Sequence, residues 1–348
     1  MTEPNSLHKK LFDISTWWIT LRTLFVGFIG GIMMTLVGFP AAFLTGPALV
    51  VSICSFSGMK AFIPVWIRQI CFCVIGVSIG SGVDEQSIAQ MGQWPLSLGL
   101  LTIAVLSHFL LSSYLVQRVF AYDRLTSMFA TIPGHMSLVV GLSVEKNADA
   151  QMVVMVQSLR ILFLTLLVPA FVLLVGIPTS GPTNIQNMGF VETVLLCCVG
   201  GISGWLFMKI GSPAPMLVGP MVASTIAHLT GLATGVVPNS FVDPAILVVG
   251  CLAGSQFKRI TFSILWSYLK IALIVLFVAT LTTVMFASVA SWFTAIPLPS
   301  TLIAFAPGGL EAMIAMGSAV NADPAFIASH HLFRLFLLTA VIAFIVRK

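Results

Sequence analysis

Residues 130–165 read ATIPGHMSLVVGLSVEKNADAQMVVMVQSLRILFLT, and residues 304–339 read AFAPGGLEAMIAMGSAVNADPAFIASHHLFRLFLLT. The second stretch lies 174 positions after the first and aligns without a gap. Pro133-Gly134 meets Pro307-Gly308, Asn147-Ala148-Asp149 meets Asn321-Ala322-Asp323, and Arg160 meets Arg334. Each copy is apolar, carries a helix-breaking Pro-Gly pair, and runs into a helix with an arginine near its middle.

The repeat extends beyond these stretches. GFIGGIMMTLVGFPAAFLTGPAL (27–49) aligns with GGISGWLFMKIGSPAPMLVGPMV (200–222), pairing Gly46-Pro47 with Gly219-Pro220. Gly76, Gly80 and Ser81 then pair with Gly250, Gly254 and Ser255. Self-similarity in one register over such a distance marks an internal duplication. The chain divides into an N-terminal segment (1–21), repeat one (22–176), an uncharged periplasmic linker (177–191) and repeat two (192–348). In the N-terminal segment, residues 11–21 suit an interfacial helix holding Trp17 and Trp18 at headgroup level.

Composition sets the class. Of 348 residues, 58% are hydrophobic and 8% charged, against about 25% charged in soluble domains; mean hydropathy is +1.06. This predicts an all-α polytopic membrane protein. The net charge of +5 concerns membrane orientation and does not point to nucleic acid. The six cysteines lie in apolar runs without CxxC spacing, which argues for packing over disulfides or zinc.

A spanning helix needs about 20 apolar residues. Repeat one offers helices near 22–39, 40–57, 62–80, 94–117 and 150–176; repeat two offers 193–210, 213–231, 243–257, 264–291 and 324–346. The Pro-Gly pieces, near 125–145 and 299–319, are either sixth spans or re-entrant segments. Basic residues decide between them, because cytoplasmic loops collect Lys and Arg. Five spans per half with re-entrant breaks and a cytoplasmic N-terminus put Lys9, Lys10, Arg22, Lys60, Arg68, Arg118, Arg124, Lys146, Lys209, Lys258, Arg259, Arg347 and Lys348 inside, with Lys270 snorkelling to the same side. The outside loops then hold Asp84, Glu85, Glu192 and Asp243 and no basic residue. Six spans per half would scatter the basic residues over both sides. The expectation is therefore two inverted repeats of about five transmembrane helices, each with a Pro-Gly-broken re-entrant segment and both termini cytoplasmic.

Arg160 and Arg334 are left over, near the bilayer midplane, where a charge costs at least about 2.5–3.5 kcal/mol. Two readings stand. The arginines hold loose carbonyls of the neighbouring breaks, or they bind an anion through the planar guanidinium. Helix ends exposed at Pro133, Gly134, Pro307 and Gly308 favour anions and recur in transporter sites. The copies differ where Ser137 meets Glu311 and Gln157 meets His331. Glu311 could pair with an arginine or titrate if buried, and His331 shares a helix face with Arg334. Asp149 and Asp323 read as N-caps, with Pro324 in the first helical position. His108 and His228 read as packed histidines, and His330 points away from Arg334. The substrate-binding candidates are Arg160, Arg334, Pro133, Gly134, Pro307, Gly308, Glu311, His331 and Gln157. No Walker loop, GxSxG, HExxH or clustered metal-ligand set is present, so no cofactor, metal or catalytic residue is expected.

The doubled order of Gly-Pro, Pro-Gly, Asn-Ala-Asp and a central Arg resembles the bacterial AbrB-duplication membrane proteins, from about residue 22 to 348. These carry the labels of regulator of gene expression and of ammonia monooxygenase. The resemblance implies a multi-pass inner-membrane protein, without a settled substrate to carry over. Its expected partners are the lipid bilayer and a small anionic ligand, with no direct nucleic-acid contact and a homo-oligomer left open. A permease, or a regulator acting through solute sensing or a partner protein, fits these features; an enzyme does not.

Overall fold

The computed structural model describes residues 14–83, 91–133, 136–175, 186–257, 262–319 and 322–347. Outside them fall Gly134, the acidic pair Asp84-Glu85, Lys258-Arg259 and residues 177–185 of the linker. Among the described residues the chain is helical, with one isolated bridge between Asn187 and Val236. The first half contributes α1 (Ile14–Leu36), α2 (Ala42–Phe56), α3 (Val65–Ser81), α4 (Trp94–Phe120), α5 (Arg124–Thr131), α6 (Met136–Glu145) and α7 (Ala150–Val175). The second contributes α8 (Phe190–Lys209), α9 (Pro215–Leu229), α10 (Asn239–Gly254), α11 (Phe262–Thr294), α12 (Leu298–Phe305), α13 (Leu310–Ala319) and α14 (Pro324–Arg347). Each helix has its counterpart seven elements later.

Among the described residues, seven helical stretches are long and apolar enough to cross a membrane: 16–36, 94–120, 150–171, 190–209, 239–257, 264–294 and 324–346. The polarity is that of a protein solvated by hydrocarbon, with Leu36 82% and Trp292 80% exposed while Arg160 is 1% exposed. Two expectations change. The interfacial helix over 11–21 is not a separate element, because α1 runs unbroken from Ile14 and takes Trp17 and Trp18 into its first turns. Of the ten helices expected to span, α2, α3 and α9 have only 15, 17 and 15 residues. At the helical rise that is about 22–26 Å, short of a hydrocarbon core of about 30 Å. Local chemistry sets these lengths. Gly38 and Gly211 (φ 71° each) turn the chain ahead of α2 and α9, and Pro64 and Pro238 stand at the N-caps of α3 and α10.

The duplication reaches the backbone. Ala41 and Ala214 adopt left-handed φ of 48° and 47°, and Ala121 and Ala295 share φ 56°. An alanine there costs about 1–2 kcal/mol that glycine avoids. Ala121 and Ala295 are exposed, so removing their methyl groups sacrifices no packing. Ala121→Gly and Ala295→Gly are each expected to stabilise the protein by about 1 kcal/mol, seen as a higher thermal midpoint in detergent.

The halves meet by exchange. Gly76 and Gly80 on α3 lie against the Leu217 and Met221 carbonyls of α9, and Gly250 and Gly254 on α10 lie against those of Leu44 and Ala48 on α2. Leu217 and Met221 are the counterparts of Leu44 and Ala48. Contact i-to-j repeated as j-to-i is the pattern of a two-fold interface. Helices that meet backbone to backbone need glycine, which explains why these glycines occur in both copies.

Candidate functional site

The Pro-Gly stretches fold as expected into broken pairs, α5–α6 and α12–α13. The residue before a proline is driven out of the helical region. Ile132 and Ala306 accordingly take extended ψ values of 123° and 130°, ending α5 and α12. A helix that stops leaves its last carbonyls without intrahelical partners. Buried, they must find donors elsewhere.

The donors come from α7 and α14, 28 residues further along the chain. In the first half Gln157 Nε2 donates to Phe129 O (2.7 Å) and Arg160 Nη1 to Ile132 O (3.3 Å). In the second half His331 Nε2 donates to Ile303 O (2.9 Å) and Arg334 Nη1 to Ala306 O (2.5 Å). Phe129 and Ile303 are counterparts, as are Ile132 and Ala306. One scaffold is therefore built twice, with glutamine in one copy doing what histidine does in the other.

Among the described residues, Arg334 makes two further bonds. Arg334 Nη2 donates to Gly308 O (2.9 Å) and to His331 Nδ1 (2.8 Å). Accepting at Nδ1 and donating at Nε2 makes His331 a neutral Nε2–H imidazole. Both Nη2 hydrogens of Arg334 are thereby used. Both guanidiniums are buried, Arg160 at 1% and Arg334 at 2% exposure, and Nε of each has no hydrogen-bond partner among the described residues. Arg160 lies within electrostatic reach of Arg334 across the two halves. Among the described residues, their hydrogen-bond partners are carbonyls and an imidazole, not carboxylates.

The breaks themselves place Pro133, Pro307 and Gly308 beside these arginines; Gly134 lies outside the described residues. Glu311 falls in the first turn of α13, and its side chain is likewise outside what is described. Asp149 and Asp323 cap their helices, accepting from Met152 N (2.9 Å) and Ala325 N (2.8 Å), and Pro324 opens α14. His330 turns from Arg334 to Ser97 on α4 (2.8 Å) and to Phe326 O (2.8 Å). His228 bridges Ser224 O and Gly235 O.

His108 is the residue that sequence reading set aside. It sits on α4, 3% exposed, within electrostatic reach of both Arg160 and Arg334 and beside the Thr131 carbonyl. Its Nδ1 lies 3.3 Å from Ser112 Oγ, while Nε2 has no partner of hydrogen-bond geometry. Its counterpart is Thr282, so the repeat carries no signal for it.

A family model described as "Transition state regulatory protein AbrB" matches residues 43–348. The chain is 25% identical over 359 residues to "Uncharacterized protein YhjN" of Bacillus subtilis (strain 168), covering 94% of this chain and 90% of that protein. It is 26% identical over 313 residues to "Putative regulator AbrB" of Escherichia coli (strain K12), covering 85% and 86%.

Proposed function

The chain belongs to the AbrB family, and from that premise we propose that it is a secondary permease for a small anionic solute. One observation carries the reading: two buried guanidiniums, one from each half, lie close enough to feel each other's charge, with N–H donors to spare. Two like charges brought together away from water are costly unless something negative joins them. A carboxylate or phosphate matches the geometry and charge of the remaining donors.

In this reading the halves are inverted and the broken pairs are re-entrant. Helices α5 and α6, of 8 and 10 residues, are about 12 and 15 Å long, too short to cross alone. The gathering of basic residues at one set of helix ends supports the inversion. Broken helices that meet near the midplane suit alternating access. With the short helices α2, α3 and α9 counted as crossings of a locally thinned bilayer, the protein is then a multi-pass protein of the bacterial inner membrane with both termini cytoplasmic.

The test is counterflow into proteoliposomes of labelled lactate, succinate, citrate and phosphate. Wild-type protein is expected to accumulate at least one of them, and Arg160→Ala to lose that uptake while eluting as a folded protein. Arg160→Lys keeps the charge without the planar fork and should recover only part of it. Full transport by both Arg160→Ala and Arg334→Ala would sink the reading.

The name "Putative regulator AbrB" of the Escherichia coli relative supports a second reading, a membrane-bound regulator that senses a solute or acts through a partner protein. Deletion would then alter transcription without altering flux of any anion in the panel.

A further inference from the structure

The permease reading leaves one buried titratable group without a task. His108 is enclosed, its Nε2 has no partner of hydrogen-bond geometry among the described residues, and it lies in the field of two guanidiniums contributed by different halves. It also meets the end of the first break. His108 stands beside the Thr131 carbonyl, and Arg160 donates to the carbonyl of the next residue, Ile132. The imidazole and the guanidinium therefore flank the same turn of chain.

A histidine buried only for packing normally has both ring nitrogens satisfied. His330 and His228 each have polar neighbours within hydrogen-bond distance at both. His331 likewise has both engaged. Among the four, His108 alone has a ring nitrogen without a partner of hydrogen-bond geometry among the described residues, with the Thr131 carbonyl beside the ring, and imidazole is the side chain suited to take up and release protons near neutral pH.

Resting on the permease reading, we propose that His108 is the proton-carrying residue of the site, so that the anion crosses together with H+. In the empty site, protonating His108 would set a third positive charge beside two guanidiniums. A bound anion offsets that repulsion, so proton and anion each favour the other's binding. The cycle needs no covalent chemistry. Nε2 takes a proton from water on one side, and gives it to water on the other as the anion leaves.

The surroundings permit the assignment. Of the titratable groups on helices packed against α4, His330 on α14 is held by Ser97 and Phe326. Tyr268 on α11 interacts with Tyr122 and Asp149, and Lys270 is exposed. On α5, Arg124 is exposed at the first turn, away from the break. Arg160 and Arg334 are the charged groups that act on His108.

The experiment uses proteoliposomes of the full chain loaded with the pH dye pyranine, and the anion of the panel that wild-type protein transports best. Adding the anion outside should acidify the lumen of wild-type vesicles. In His108→Gln the acidification should vanish, while counterflow of labelled anion continues more slowly. In detergent, thermal stabilisation by the same anion should strengthen as pH falls for wild-type protein and be flat with pH for His108→Gln. Acidification that survives in His108→Gln overturns the proton role and leaves the permease reading intact. Loss of counterflow in both His108→Gln and His108→Asn, with normal elution, makes His108 structural and also overturns the proposal. Wild-type protein that moves none of the panel removes the permease reading, and this inference with it.

Discussion

Arg334→Ala is expected to destabilise the protein by roughly 2–5 kcal/mol. The two arginines are sequence counterparts. Arg334 donates to the Ala306 and Gly308 carbonyls and to His331 Nδ1. At about 1.5–3 kcal/mol for each charged hydrogen bond, three bonds outweigh a burial cost of about 2.5–3.5 kcal/mol. Arg160 has one such bond among the described residues, at 3.3 Å, and Gly134, the counterpart of Gly308, lies outside them. Unfolding by SDS titration in mixed micelles would measure the loss, with Arg160→Ala alongside. Equal losses would show that Arg160 is as structural as its counterpart and would weaken its assignment to ligand.

Gly46→Val should prevent the protein from reaching its folded state, or cost well over the roughly 1–3 kcal/mol of ordinary overpacking. A Cβ at Gly46 would overlap the Gly30 carbonyl group, and one at Gly30 would overlap that of Gly46. Neither obstacle is a side chain that can rotate away, so α1 and α2 would have to separate along their length. Gly219 meets Gly204 and Ser203 backbone in the same way in the second half. Gly201→Ala is the control. Nothing lies within 4 Å of a Cβ there, and alanine favours a helix by up to about 1 kcal/mol over glycine. Yield of monodisperse protein after solubilisation should fall sharply for the first variant and hold or rise for the second.

Much of this was legible in the chain, and the limits have physical causes. The breaks at Pro133 and Pro307 and the caps at Asp149 and Asp323 were readable because Pro and Asp act on the nearest turn, and the helix-embedded arginines because the duplication aligns them. The backbone partners of Gln157 and His331 were not, because they depend on how α7 packs on α5 and α14 on α12. Hydropathy missed the shortness of α2, α3 and α9, since an apolar run records solvent and not where Gly38 or Pro64 ends a helix. The interfacial helix over 11–21 failed for a related reason. Tryptophans and lysines mark a headgroup boundary, but nothing between Ile14 and Leu36 interrupts helical hydrogen bonding. His108 was overlooked because an isolated imidazole has no spacing pattern, and its counterpart Thr282 broke the comparison that exposed the arginines.

The exchange of glycines and carbonyls between α3 and α9, and between α10 and α2, has a mechanical consequence. Main chain seated on main chain cannot slide by a rotamer change, and its shape is set by peptide geometry. Helices α1–α3 and α8–α10 thus form a single stator shared by both halves, with no seam along which one repeat could swing from the other. The helices that carry Arg160 and Arg334 lie outside this backbone-to-backbone contact. Drift in either gene segment is policed by the other, because each α2–α3 pair is finished by the opposite half.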